Sequence, residues 1–182
     1  MPVRAVAFDI DGTLYPNAAM YLKSLPFALT HLRLMLAYAK VRKEVREIRP
    51  VDDLQALEAE MLAKRLGISS ERARDRISTE IHGEWESVLD RVNLYPHVRD
   101  CVRGIKEAGL PVAVTSDFPV ERKLERLGLE GIFDCRLWTE ESGYLKPHPE
   151  PFLKLAECMG FPPQEILYVG NSYEYDVVGA KR

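Results

Sequence analysis

Two carboxylates stand two residues apart in Val6-Ala7-Phe8-Asp9-Ile10-Asp11-Gly12-Thr13, directly where an apolar run ends. On an extended chain side chains alternate between faces, so Asp9 and Asp11 leave on the same side and can face one reaction centre. Two acids so placed require a cation. An Asp-Gly step is equally at home in a turn or a helix cap, and the pair alone leaves both readings open. Other polar groups follow later apolar runs: Thr115, Ser116 and Asp117 after Val112–Val114, and Gly170, Asn171 and Asp176 after Ile166–Val169. Taken singly, Thr115 reads as a strand-end hydroxyl and Lys146 as a solvated surface lysine. Only their order relative to Asp9 raises them.

The elements that must position these groups are legible as a pattern. Val3–Phe8, Val112–Val114, Arg136–Trp138 and Ile166–Val169 are apolar runs too short for helices and read as buried strands. Between the last three lie helix patterns that open at Pro96, Pro119 and Pro149 and close at Gly109, Gly128 and Gly160. Alternating strand and helix predicts a parallel sheet with right-handed crossovers, which binds ligands beyond the carboxyl ends of its strands. The rhythm breaks between the first strand and the second, where Pro16 to Arg91 reads as almost all helix. The organisation predicted is a core of residues 1–15 and 92–182 with an inserted helical cap of 16–91, bounded by the Tyr15-Pro16-Asn17 and Asn93-Leu94-Tyr95-Pro96 turns.

With that order in view, the chain resembles the haloacid dehalogenase superfamily. The DxDGT motif is matched by Asp9, Asp11, Gly12 and Thr13; Thr115 ends the next core strand, with Ser116 a lesser claimant. Lys146-Pro147-His148-Pro149 with Pro151-Phe152 looks like the family's KPxPxxF segment. Gly170-Asn171-Ser172-Tyr173-Glu174-Tyr175-Asp176 follows GDSxxxD, with Asn171 where an acid is usual. The resemblance implies an α/β, doubly wound parallel-sheet core with a C1-type helical cap. It further implies a phosphomonoester hydrolase of a small phosphorylated metabolite, working through an aspartyl-phosphate and Mg2+. In that scheme Asp9 is the nucleophile and Asp11 the proton donor and acceptor. Thr115, Ser116 and Lys146 bind the phosphate, and Asp9, the Asp11 carbonyl, Asn171 and Asp176 hold the metal. Dehalogenases of the family lack an acid at the second position, since a halide needs no proton, so Asp11 favours phosphate chemistry. A sugar-phosphate mutase type of phosphotransferase and a catalytically weak regulatory protein are the alternatives.

Composition narrows the field. With 25 basic and 28 acidic residues the net charge is −3, which gives no broad positive field for nucleic acid. The stretch Pro26–Ile48 is an amphipathic helix, too charged to span a membrane, and no secretory signal opens the chain. Cys101, Cys135 and Cys158 form no CxxC pair and read as buried thiols of a cytoplasmic protein. His31, His82, His97 and His148 lack ligand spacing and read as structural or surface residues. The run Lys40, Arg42, Lys43, Arg46 and Arg49 could face an anionic substrate but reads as a solvated helix face, and Trp85 reads as cap core rather than a substrate-stacking platform. The chain stops at Arg182, within the helix expected to follow Asp176, which leaves the fourth-motif strand at a sheet edge unless more chain or another element covers it.

Overall fold

A computed structural model describes residues 2–182. Four parallel strands form the sheet: β1 (Ala5–Asp9), β2 (Val112–Ser116), β3 (Cys135–Trp138) and β4 (Ile166–Val169), in the order β3-β2-β1-β4. The expected strands are therefore present within two residues at each end, and β4 does lie at an edge, with Leu167 49% exposed. Register follows the alternation of the sequence. Val6 and Phe8 pair with Val112 and Val114 and share one apolar cluster with Val102 of α5 (Val98–Glu107) and with Val120 and Leu124 of α6 (Val120–Arg126). Ala7 and Ala113 pair in the same ladder and face the other way, packing with Cys135, Leu137 and Leu155, the last from α7 (Pro149–Met159). Helices thus cover both faces, as near-continuous apolar strands require.

Between β1 and β2 the chain is helical: α1 (Asn17–Thr30), α2 (Leu32–Glu44), α3 (Leu54–Leu66) and α4 (Ser70–Arg76), then a π-helical stretch Ile77–Trp85 and a 3-10 turn Glu86–Arg91. Asp53 caps α3 by accepting from the Ala56 N–H at 2.9 Å, and Ser69 caps α4 by accepting from Arg72 N–H at 3.2 Å. Residues such as Leu34, Tyr38 and Val41 of α2, Leu62 and Leu66 of α3, and Ile77 and Ile81 make a second core of their own. The two junctions, Leu14 to Met20 and Val88 to Val92, pack instead into the cluster under the sheet. A last short helix, α8 (Val178–Lys181), follows β4. Among the described residues no helix is long and apolar enough to cross a membrane.

Two expectations are corrected here. Cys135 and Cys158 form a disulfide joining β3 to α7 across 23 residues, and Cys101 is exposed, so the three cysteines are not buried thiols. A pairing between two cysteines so far apart depends on which elements the fold makes adjacent, and spacing alone carries no trace of it. The basic run over α2 and the 3-10 turn Val45–Glu47 that follows it is likewise not one solvated face. Lys40 and Lys43 are exposed, but Arg42 is buried and Arg46 half-buried.

Candidate active site

The carboxyl ends of β1, β2 and β4 meet at a cavity of about 820 Å3 roofed by α1 and α2. Asp9, the last residue of β1, pairs directly with Thr115 of β2. Its Oδ1 accepts from Lys146 Nζ at 2.6 Å and its Oδ2 from the Thr13 hydroxyl at 2.9 Å. Lys146 Nζ also donates to Asp176 Oδ1 at 2.7 Å, so one ammonium bridges the first and last acids of the sequence pattern. Asp176 is fixed in turn by Ser172, whose N–H donates to Oδ2 at 2.9 Å while its hydroxyl accepts from the Tyr175 N–H at 3.2 Å, a reciprocal cap on the turn after β4. Gly170 is needed there: a Cβ would collide with the Asp176 carboxylate.

Thr115 is buried, and its hydroxyl has no hydrogen-bond partner. A donor left unpaired inside a protein costs about 1–3 kcal/mol, so a group that completes it is expected. Ser116, one residue on, points to the other side and donates to Asp11 Oδ2 at 2.6 Å. Asp11 itself is gripped three ways. Lys123 Nζ donates to both of its oxygens at 2.6 Å, and Tyr15 adds a short hydrogen bond. Asp9 and Asp11 line the same cavity but have different partners, because the strand ends at Asp9 and the chain turns through Gly12 before the Asp11–Tyr15 bridge. Asn171 also lines the cavity, and its amide lies against Gly12 so closely that a Cβ on Gly12 would overlap it.

The electrostatics divide the two acids. Burial, together with the charges of Asp176 and Asp11, pushes the Asp9 carboxyl up to about 6 despite Lys146. Burial also raises Asp11, but the Lys123 charge and the hydrogen bonds from Lys123, Ser116 and Tyr15 outweigh it and hold Asp11 below its ordinary range. Burial disfavours the Lys146 charge, yet Tyr168 and the carboxylates of Asp9, Asp117 and Asp176 prevail and hold it well above its ordinary value. Asp117 is a hub. Its Oδ2 accepts from Arg46 at 2.5 Å and its Oδ1 from the Thr139 hydroxyl at 2.8 Å and the Lys146 N–H at 3.3 Å. Burial opposes its charge, but Arg46, Lys146 and Arg42 hold the carboxyl down at about 2.

All the residues singled out in the sequence, Asp9, Asp11, Thr115, Ser116, Lys146, Asn171 and Asp176, therefore stand at one end of the sheet, with Ser116 directed to Asp11. Three were missed: Lys123, Arg42 and Arg46. The lysine sits in Val120-Glu121-Arg122-Lys123-Leu124-Glu125-Arg126, where charges stand at nearly every position and none is marked out by type or spacing. For the arginines a signal existed, since a spacing of four puts them on one helix face. Among the described residues no three His, Cys, Asp or Glu side chains cluster as a metal site. The oxygen donors here also include an amide and a backbone carbonyl, which such a cluster does not count.

The chain is similar to several known proteins. A glyceraldehyde 3-phosphate phosphatase of Methanopyrus kandleri is 28% identical over 189 aligned positions, 99% of this chain and 80% of that one. A phosphoglycolate phosphatase of Shigella boydii is 30% identical over 209 positions, 98% of this chain and 77% of its own length. Among solved structures, a HAD phosphatase from Thermococcus onnurineus superposes with a TM-score of 0.58 at 26% identity, over 98% of this chain and 82% of that one. An L-2-haloacid dehalogenase from Xanthobacter autotrophicus gives a TM-score of 0.64 at 22% identity, over 98% of this chain and 74% of its own, a likeness of fold. The profile of the haloacid dehalogenase-like hydrolases matches residues 3–182, and the chain belongs to that family of enzymes.

Proposed function

We propose that this hydrolase is a magnesium-dependent phosphomonoesterase that forms an aspartyl-phosphate on Asp9, with the helical segment 16–91 as its lid. One observation carries the reading. Asp9 is held by Lys146 and Thr13, while its partner across the sheet, Thr115, keeps a buried and unspent hydroxyl. A phosphoryl oxygen beside Asp9 would complete that donor. The named relatives, both phosphatases, support the same chemistry.

The donors around Asp9 suit a hard cation. Asp9 and Asp176 offer carboxylates, Asp11 a backbone carbonyl and Asn171 an amide oxygen, all of them oxygen ligands. Magnesium bound there would neutralise phosphate charge and polarise a phosphoryl oxygen. In the first half-reaction an Asp9 oxygen bonds to phosphorus, the bond to the leaving oxygen breaks, and Asp11 gives that oxygen a proton. In the second, Asp11 takes a proton from the water that attacks the acyl-phosphate, releasing inorganic phosphate and Asp9. Against burial, Lys123, Ser116 and Tyr15 hold the Asp11 carboxyl below its ordinary range, so the proton it gives to the leaving oxygen is one it takes from solvent once the phosphate charge lies beside it. Thr115 and Lys146 stabilise the charge on the transferring group, and Ser116 orients Asp11. A halide would need no such proton, which sets this site apart from dehalogenation.

The test is phosphate release from p-nitrophenyl phosphate by the full chain, with magnesium and with a chelator. Turnover should require the metal, and Asp9→Asn should lose at least about 10³-fold with a thermal melt no lower than the parent's, since an amide cannot form the acyl-phosphate. Metal-independent turnover, or an active Asp9→Asn protein, refutes the mechanism.

A further inference from the structure

From the way the cavity wall spends its cations, we infer that the natural leaving group is a bulky, mainly apolar, uncharged one, in contrast to the substrates after which the two named relatives are called. This rests on the phosphatase reading and goes on to name the substrate class. The cavity's cations are Arg42, Arg46 and Lys146, and each is already satisfied. Arg42 pairs with Glu58 at 2.7 Å and with Glu140, and donates to the Asp117 carbonyl. Arg46 pairs with Asp117 at 2.5 Å and donates to the Lys146 carbonyl at 2.8 Å. Lys146 is committed to Asp9 and Asp176. A second anionic group on the substrate, such as a carboxylate, would meet no free cation and would have to give up its hydration unpaid, which is costly.

Among the neutral polar groups of the roof Ser24 is spent, while the Tyr38 hydroxyl is buried without a partner and leaves one hydrogen bond on offer to a neutral ligand. Ser24 donates to the Met20 carbonyl at 2.7 Å and accepts from Trp85 Nε1 at 2.8 Å. Most of what faces the space beyond the phosphate site is carbon and sulfur: Ala28, Met35, Ala39, Phe118 and the rings of Tyr38 and Trp85. At about 820 Å3 the cavity is of a size that encloses a drug-sized ligand and far exceeds what a two- or three-carbon phosphate fills. Removing a methylene from water contributes about 0.8 kcal/mol, or roughly fourfold in affinity, so chain length in the leaving group should be read directly by this wall.

The experiment has a binding arm and a turnover arm, both on the full chain with magnesium. Calorimetry compares ethyl-, butyl- and hexylphosphonate with phosphonoacetate, none of which can be hydrolysed. Affinity should rise by about fourfold per methylene and about 250-fold from ethyl to hexyl, with phosphonoacetate the weakest. Equal affinities, or preference for phosphonoacetate, overturn the inference whatever the enzyme turns over. Met35→Arg, which places an unpaired cation on the apolar wall, should reverse the order; an unchanged order in that variant also overturns it. In the turnover arm kcat/KM for hexyl phosphate should exceed that for 2-phosphoglycolate by a similar factor, the leaving oxygens of both being alkoxides. Hydrolysis of every ester without preference overturns the substrate class and leaves the phosphatase reading standing. Hydrolysis of none refutes the phosphatase reading, and the calorimetric order still decides whether the wall selects apolar ligands.

Discussion

Glu86 is buried, and neither of its carboxylate oxygens finds a hydrogen-bond partner. Burial, reinforced by Asp11 and opposed by Lys123, Arg126 and Arg122, pushes its carboxyl from 4.5 up to about 7. Between those two values the folded chain keeps a proton that the unfolded chain has released, so Glu86 subtracts stability as pH rises through that window. The ceiling on the loss is about 3 kcal/mol. Glu86→Gln should therefore be roughly 1–3 kcal/mol more stable than the parent at pH 8 and nearly equal to it at pH 4.5, read by urea denaturation at each pH. A stability difference independent of pH would mean that Glu86 is ionised in the fold. At this scale the site was partly legible. Asp9, Thr115 and Asp176 could be placed because the ends of apolar runs are fixed by the sequence, and Lys146 because of its proline-rich motif. Glu86 and Lys123 could not, since which charge of an alternating helix turns inward is decided by tertiary packing, here of α6 against the 3-10 turn through the Arg126–Asp90 pair at 2.5 Å.

The turn between β1 and α1 shows what the connecting elements contribute. Gly12 adopts φ +88°, where an L side chain costs about 1–2 kcal/mol, and a Cβ there would overlap the amides of Asn171 and Asn17. Gly12→Ala should lose stability by roughly that amount and in addition displace Asn171, so the magnesium concentration for half-maximal activity should rise severalfold. Gly109→Ala is the control: φ is +79° with nothing within 4 Å of the added Cβ, so it carries the strain without touching the site. If both variants shift the magnesium titration alike, Asn171 is not a metal partner. The strands were legible because each apolar run is bounded by Pro, Gly or polar residues, and the helices of the core because proline opens and glycine closes them. The disulfide between β3 and α7 was invisible for the opposite reason: it records an adjacency that only the assembled sheet creates.

Across the whole molecule, the helical segment and the sheet are tied through two arginines of one helix face. Arg42 joins Glu58 of α3 to Glu140, which follows β3, and Arg46 joins the Asp117 and Lys146 loops, its guanidinium lying 4.6 Å from the Tyr175 ring centre. A run of charge on a helix usually faces water, and the sequence reading followed that rule; it failed because these side chains neutralise acids that the fold buries. Such a pair is weak evidence of net stability, but removing one partner strands the other. Arg42→Met leaves Glu58 and Glu140 buried without their cation. Burial and the Glu58 charge already hold the Glu140 carboxyl near 7 in spite of Arg42, and without the arginine it rises further. The variant should lose about 3–5 kcal/mol at pH 8, where the stranded Glu140 must take up a proton to stay buried, and clearly less at pH 5, where protons are plentiful. Glu140→Gln added to Arg42→Met should recover part of the loss at pH 8 and little at pH 5. Urea denaturation of the single and double variants at both pH values checks this, and a double variant as unstable as the single one at pH 8 would show that the cost of Arg42→Met lies in lost packing against Tyr38 and Phe118.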